Sequence, residues 1–203
     1  MGDILTYLAL DLSRANTGFA LWNGKSVKPL YGSWKLKYEF GSYGDSYLKL
    51  HRCLRDLYSI EPFDRLYFEE PINPGQLQGN TTIDTIGLAF GLATHAQSFA
   101  AAKRCRMVKA INVGSWRKDF LGDMIVREVN AGIRRRRKAG EKVSATDQLK
   151  KLCIERCRSL GLDPRSNDEA DAIGILTYAI LLDGKTPPWL ADEVLRPILE
   201  VAK

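Results

Sequence analysis

Ile4-Leu5-Thr6-Tyr7-Leu8-Ala9-Leu10-Asp11-Leu12-Ser13 is a short, strongly apolar run that ends by delivering an acid. It reads as a central strand, buried on both sides, with Asp11 near its C-terminal end. Thr17-Gly18-Phe19-Ala20-Leu21-Trp22 follows and runs into Asn23-Gly24, a pair that favours a type I′ hairpin turn. A third strand is predicted over residues 26–36.

Working outward, Leu48, His51, Leu54, Leu57 and Tyr58 fall at three- and four-residue steps and predict a helix over residues 45–60. Pro62 and Asp64 end it. Arg65 to Phe68 reads as a strand that runs into Glu69-Glu70-Pro71. Residues 73–80 are rich in Gly and Asn and read as a loop. A long helix rich in Ala, Gly and Leu is predicted over residues 81–102, a strand over 107–111, and a short helix from Ser115 carrying Trp116, Arg117, Lys118, Phe120 and Leu121. Residues 123–142 read either as a basic extension of that helix or as a loop. Ser144 or Thr146 caps a further helix that Gly161 stops, and Ser166 opens a last strong helix. The plan is α/β, a mixed five-stranded sheet flanked by helices on both faces, in the strand and helix order of the RNase H-like fold.

The chain has 203 residues, 45% of them hydrophobic, which suits one globular domain over residues 1–203 with a basic insertion at about 123–145 and a short helical tail at about 187–203. Thirty Lys and Arg against twenty-four Asp and Glu give a net charge of +6, which favours an anionic partner without identifying it. Clustering points to nucleic acid, because Lys103, Arg104 and Arg106 are followed by Lys109, Arg117, Lys118, Arg127 and the run Arg134, Arg135, Arg136, Arg137, Lys138. The four cysteines form no CxxC pair; Cys153 and Cys157 share a helix face and are read as buried structural residues. No signal peptide and no bilayer-spanning run is evident, so a soluble protein of the cytoplasm, with no membrane partner, is expected.

Several acids fall where they can converge. An aspartate ending a buried strand is costly without a partner, and a metal ion is one of few good ones. Glu69 and Glu70 alternate to opposite faces, so only one can join Asp11. Asp168 and Asp171, three apart, share a face in the first turns of the last helix, although acids there also simply suit the helix dipole. Glu169 fits a capping box with Ser166. Two-metal phosphodiester hydrolysis needs such a set of oxygen anions around two hard cations.

Three segments together, Asp11 to Ala20 with its Thr17-Gly18, Tyr67-Phe68-Glu69-Glu70-Pro71, and Asn167-Asp168-Glu169-Ala170-Asp171-Ala172, resemble the RuvC family of Holliday junction resolvases over about residues 4–183. Ser115-Trp116-Arg117-Lys118 with Leu121-Gly122 is similar to phage-type members. The resemblance implies Asp11, Glu69, Asp168 and Asp171 as catalytic metal ligands for two Mg²⁺ ions, with Mn²⁺ as a substitute, and it ranks Glu69 above Glu70. It also implies a homodimer that cuts four-way DNA junctions in pairs and leaves 5′-phosphate ends. The chain departs from the commonest pattern at Leu12-Ser13, where Pro-Gly is usual, and near Ile72, where cellular members carry a stacking aromatic. Lys118 is the candidate catalytic contact to phosphate; Arg117, Lys103, Arg104 and Arg134 to Lys138 are candidates for holding the DNA backbone. The small residues of 81–102 suit either a dimer surface or packing on the sheet, and His51 and His95 are read as packing or surface residues. Sugar-kinase relatives share an acid-bearing strand and Thr-Gly hairpin, but this chain supplies one such domain and has Ser13 where a phosphate-loop glycine is expected. A non-catalytic nucleic-acid binder or RNA-processing relative would not need all four acids.

Overall fold

Strand β1 (Tyr7–Asp11) is buried at every position before its terminal acid, because it lies in the middle of the sheet. The computed structural model describes residues 4–71 and 82–191. Strand β2 (Thr17–Trp22) pairs antiparallel with β1, and β3 (Leu30–Trp34) pairs antiparallel with β2. After helix α1 (Tyr43–Ile60), strand β4 (Arg65–Glu69) returns parallel to β1; after α2 (Ile83–Ala102), β5 (Met107–Ile111) lies parallel to β4. The order across the sheet is β3-β2-β1-β4-β5. The predicted mixed five-stranded sheet is thus present.

Strand alternation divides the interior in two. Leu8, Leu10, Leu21, Leu66 and Phe68 pack with α1 and α2 on one face. Tyr7, Ala9, Ala20, Trp22 and Tyr67 point the other way, toward α3 (Val113–Leu121), α5 (Ala145–Ser159) and α6 (Asn167–Leu182). Helix α6 is buried on almost every side, from Glu169 to Ile180, since it lies on β1 and β2 and is itself covered by α3 and α5.

Some boundaries differ from the sequence reading for local reasons. Asn23-Gly24 does not form a two-residue hairpin: Asn23 Oδ1 accepts from the amides of Lys25 and Ser26, Trp22 Nε1 donates to the Ser26 carbonyl at 2.8 Å, and β3 starts only at Leu30. Helix α3 starts before Ser115, because Asn112 Oδ1 accepts from the Gly114 and Ser115 amides. Residues 123–138 are neither loop nor a continuation of α3. They form a separate helix, α4 (Asp123–Lys138), set off by Gly122 at φ +93°, and bury Val126 and Ile133 against their neighbours. Ser144 caps α5, and a single 3₁₀ turn at Pro188–Leu190 is what is described of the C-terminal tail. Ile72, the expected loop at 73–80 and the remainder of the tail lie outside the described residues.

In α2 several of the small residues serve packing: Ala93, Ala96 and Ala100 are buried, and Gly91 lies against the Tyr47 ring of α1, which in turn stacks on His95, while His51 Nε2 stands 3.0 Å from His95 Nδ1. Cys153 and Cys157 are buried on the α6 side of α5. Among the described residues no helix is long and apolar enough to cross a membrane.

Gly18 positions the next layer. It pairs with Asp11 across β1 and β2, and a Cβ there would overlap the backbone carbonyl of Asp168. The missing side chain lets the start of α6 rest on the sheet beside Asp11. Gly18→Ala is therefore expected to cost about 1–3 kcal/mol of stability by overpacking, measured by urea unfolding. Gly132→Ala, in α4 with nothing within 4 Å of the new Cβ, serves as the contrast and is expected to stabilise by about 0.5–1 kcal/mol; equal effects at the two positions would refute the close approach.

Candidate functional site

The parallel register sets Leu10 beside Phe68, so Asp11 and Glu69 are the next residues along two neighbouring strands. Both continue the row of Tyr7, Ala9 and Tyr67 and so face α6. Glu70 falls on the other side of the alternation; it is exposed and lies 3.4 Å from Asn112 Nδ2. From above the sheet, α6 contributes Asp168 and Asp171. Ser166 caps this helix by accepting from the Glu169 amide. The expected reciprocal half of the capping box is displaced by one residue: the Glu169 carboxylate accepts from the Arg165 amide at 2.7 Å and from Ser33 Oγ at 3.2 Å. Glu169 thereby ties α6 to β3 and stays out of the acidic centre.

The four remaining acids feel one another. Burial, followed by the charges of Glu69, Asp171 and Asp168, pushes Asp11 well above the usual carboxylate range. Burial also raises Glu69, reinforced by Asp171 and opposed by Arg117, the Trp116 indole and Lys150. Asp171 is 1% exposed. Burial raises it too, while Arg117 and Lys150 pull it back. Its Oδ1 is buried without a hydrogen-bond partner.

Two cations sit among these acids. Arg117 Nη2 donates to Asp171 Oδ2 at 2.8 Å, and Lys150 Nζ lies 3.6 Å from Asp168 Oδ1 and 3.9 Å from Asp171 Oδ2. Burial works against the charge on each, but the surrounding carboxylates outweigh it and raise both. Neutral donors complete the frame: Asn16 Nδ2 donates to Asp168 Oδ2 at 2.7 Å, and Trp116 Nε1 to Glu69 Oε2 at 3.0 Å. With four carboxylates against two cations, the fully ionised cluster keeps two negative charges in excess. Among the described residues no three acidic, histidine or cysteine side chains stand in ready-made ligand geometry. The donor set nonetheless fits a hard divalent cation, being all oxygen, short of positive charge and holding one unpartnered buried oxygen.

The expected basic residues fall in different places. Arg117, expected to hold the DNA backbone, is instead buried on the acid-facing side of α3, where Asp171 requires a counter-charge. Lys118, the next residue, turns away from the acids; it is 53% exposed and stands 3.7 Å from Asp123 at the start of α4. Lys103 and Arg104 precede β5, whereas Glu69 ends its parallel neighbour β4. A five-residue strand, roughly 16 Å, therefore separates them from the acidic end of the sheet. Arg134, Arg135, Arg136, Arg137 and Lys138 end α4, where Arg136 pairs with Glu141 at 2.6 Å and Arg137 Nε donates to the Val143 carbonyl. Lys150, Asn16 and the Trp116 donor were not anticipated. Lys150 did carry a signal, since it precedes the buried Cys153 by three and Cys157 by seven and so shares their helix face.

By sequence the chain matches no protein-family model and no curated protein. By structure it is similar to RuvC of Thermus thermophilus, with a TM-score of 0.57 at 16% identity over 90% of this chain and 99% of that one. It is also similar to T. thermophilus RuvC in complex with a Holliday junction substrate, with a TM-score of 0.59 at 12% identity over 90% and 98% of the two chains. The chain has the RuvC fold. That RuvC-like, RNase H-like framework is what sets Asp11 and Glu69 side by side beneath the start of α6.

The raised acids make the stability of the metal-free protein depend on pH. Because Asp11, Glu69 and Asp171 hold protons more tightly when folded, their contribution is complete below the ordinary carboxylate value of about 4. It is lost as pH rises through the raised folded values. Asp11→Asn should therefore melt above the unsubstituted protein at neutral pH in chelator, with the gap closing on acidification. A pH-independent gap, read by calorimetry, would contradict this account.

Proposed function

We propose that this chain is a divalent-metal-dependent endonuclease that cuts four-way DNA junctions and related branched DNA. The observation carrying this reading is the half-buried carboxylate centre, with four acids against two cations, placed on a RuvC-like fold. Asp11, Glu69, Asp168 and Asp171 would hold two Mg²⁺ ions, with Mn²⁺ as a substitute. Such a pair supplies an activated water at neutral pH and stabilises the charge on the leaving oxygen.

The chain's own residues do the remaining work. Trp116 and Asn16 orient Glu69 and Asp168 by one hydrogen bond each. Arg117 holds Asp171 from the interior and is withdrawn from the set of DNA contacts. The Arg134 to Lys138 end of α4, with Lys118 at its start, is the surface assigned to junction arms, where bonds to phosphate position the duplex without reading bases. A homodimer, matching the two-fold symmetry of a junction, would use Ile83, Gly87 and Phe90. The two apolar side chains are exposed on α2, and a Cβ at Gly87 would meet nothing within 4 Å. The Ser115 to Lys118 segment supports the phage-type likeness, and the setting this implies is the cytoplasm.

Incubation with a synthetic four-way junction and a matched linear duplex, each in Mg²⁺ and in chelator, tests the reading. Junction cutting in Mg²⁺ alone, with 5′-phosphate products, is expected. Asp168→Asn should abolish it while leaving junction binding in Ca²⁺ intact. Cutting of neither substrate would sink the proposal.

Replacing Arg134, Arg135 and Lys138 by Ala should weaken binding evenly across junction sequences. The slope of log K against log salt should become shallower by about 0.9 for each phosphate that is no longer neutralised, as read by fluorescence anisotropy. An unchanged slope would remove α4 from the interface.

A further inference from the structure

The two cations of the carboxylate centre are held differently. Arg117 is fixed: it makes a 2.8 Å hydrogen bond, lies over the Trp116 ring at 5.0 Å, and its side chain is 10% exposed. Lys150 stands 3.6 and 3.9 Å from its two carboxylate oxygens, both beyond hydrogen-bond reach, and its side chain is 27% exposed. Its charge nevertheless acts on all four acids, Asp11, Glu69, Asp168 and Asp171, whereas that of Arg117 acts on Glu69 and Asp171. A cation shared by two carboxylates and bonded closely to neither sits where an added metal ion would be drawn. A compact ammonium on a four-carbon stem can also leave by bond rotation, which the stacked guanidinium of Arg117 cannot do cheaply.

We propose that Lys150 is a built-in counter-ion, its ammonium occupying the electrostatic centre of the carboxylate cluster and competing with divalent metal for it. The inference rests on reading the cluster as a metal site. Two divalent ions would by themselves balance four carboxylates, so metal loading drives Lys150 outward.

The test is calorimetric titration of Mn²⁺ into the full chain without DNA, comparing the unsubstituted protein with Lys150→Met and Lys150→Arg. Lys150→Met should bind Mn²⁺ tighter by on the order of tenfold, equivalent to about 1.4 kcal/mol. Lys150→Arg, which keeps the charge, should stay near the unsubstituted protein. In chelator, Lys150→Met should melt lower, and Mn²⁺ should raise its melting temperature by the larger amount. Equal or weaker Mn²⁺ binding by Lys150→Met overturns the counter-ion role while leaving the metal reading intact. Absence of Mn²⁺ binding in all three proteins overturns both. If Lys150→Met does not fold, Lys150→Gln carries the same comparison.

Discussion

Gathering carboxylates in a poorly hydrated place is the constraint around which this structure is arranged. Each acid there loses water and gains the repulsion of its neighbours, and neither loss is recovered without counter-charge or donors placed in advance. The fold supplies them from separate elements: Arg117 and Trp116 from α3, Lys150 from α5, and Asn16 from the turn between the first two strands. Removing one member of a buried ion pair such as Arg117–Asp171 typically costs about 3–5 kcal/mol, because the survivor is left charged and dry. The acids thus dictate what their neighbours must be.

The two faces of the sheet differ accordingly. Beneath it, α1 and α2 meet an apolar row of the sheet, and their packing against it is hydrophobic. Above it, α6 has to reconcile a nearly enclosed hydrophobic body with an acidic first turn. It does so by close approach at two glycines: Gly18 admits the Asp168 carbonyl, and Gly174 admits the Trp116 ring. The indole that fills the second gap also donates to Glu69, so packing and orientation of the acids are carried by one side chain.

Most of the architecture was legible because hydrophobic periodicity reports which face is buried. β1, β2, β5 and the helices α1, α5 and α6 lie close to where their spacing places them. Less legible was anything set by side chains competing for backbone groups, as at Asn23 and Asn112, where a local hydrogen bond moves a strand start or a helix start. Of the candidate site acids, Asp11, Asp168 and Asp171 stand out by their positions at a strand end and on one helix face, whereas strand position left Glu69 and Glu70 open and only the family resemblance ranked Glu69 first. The cations could not be sorted, because a run of Lys and Arg looks the same whether it faces solvent or an acid. Arg117 and Lys118 are neighbours in sequence, yet one is buried against Asp171 and the other lies in the open. What separates them is the helix face, and in α3 that face is marked by Trp116, Phe120 and Leu121.

The hydrogen bond from Asn16 to Asp168 spans 152 residues of chain. An acidic centre closed by so distant a contact cannot form on an N-terminal fragment that stops short of α6, however well its strands pair. During synthesis the first three strands and α1 are complete while the cluster still lacks three of its four acids, Glu69, Asp168 and Asp171. The centre comes into being only when α6 emerges and docks, so the most repulsive part of the molecule is completed last, over a sheet already able to bear it.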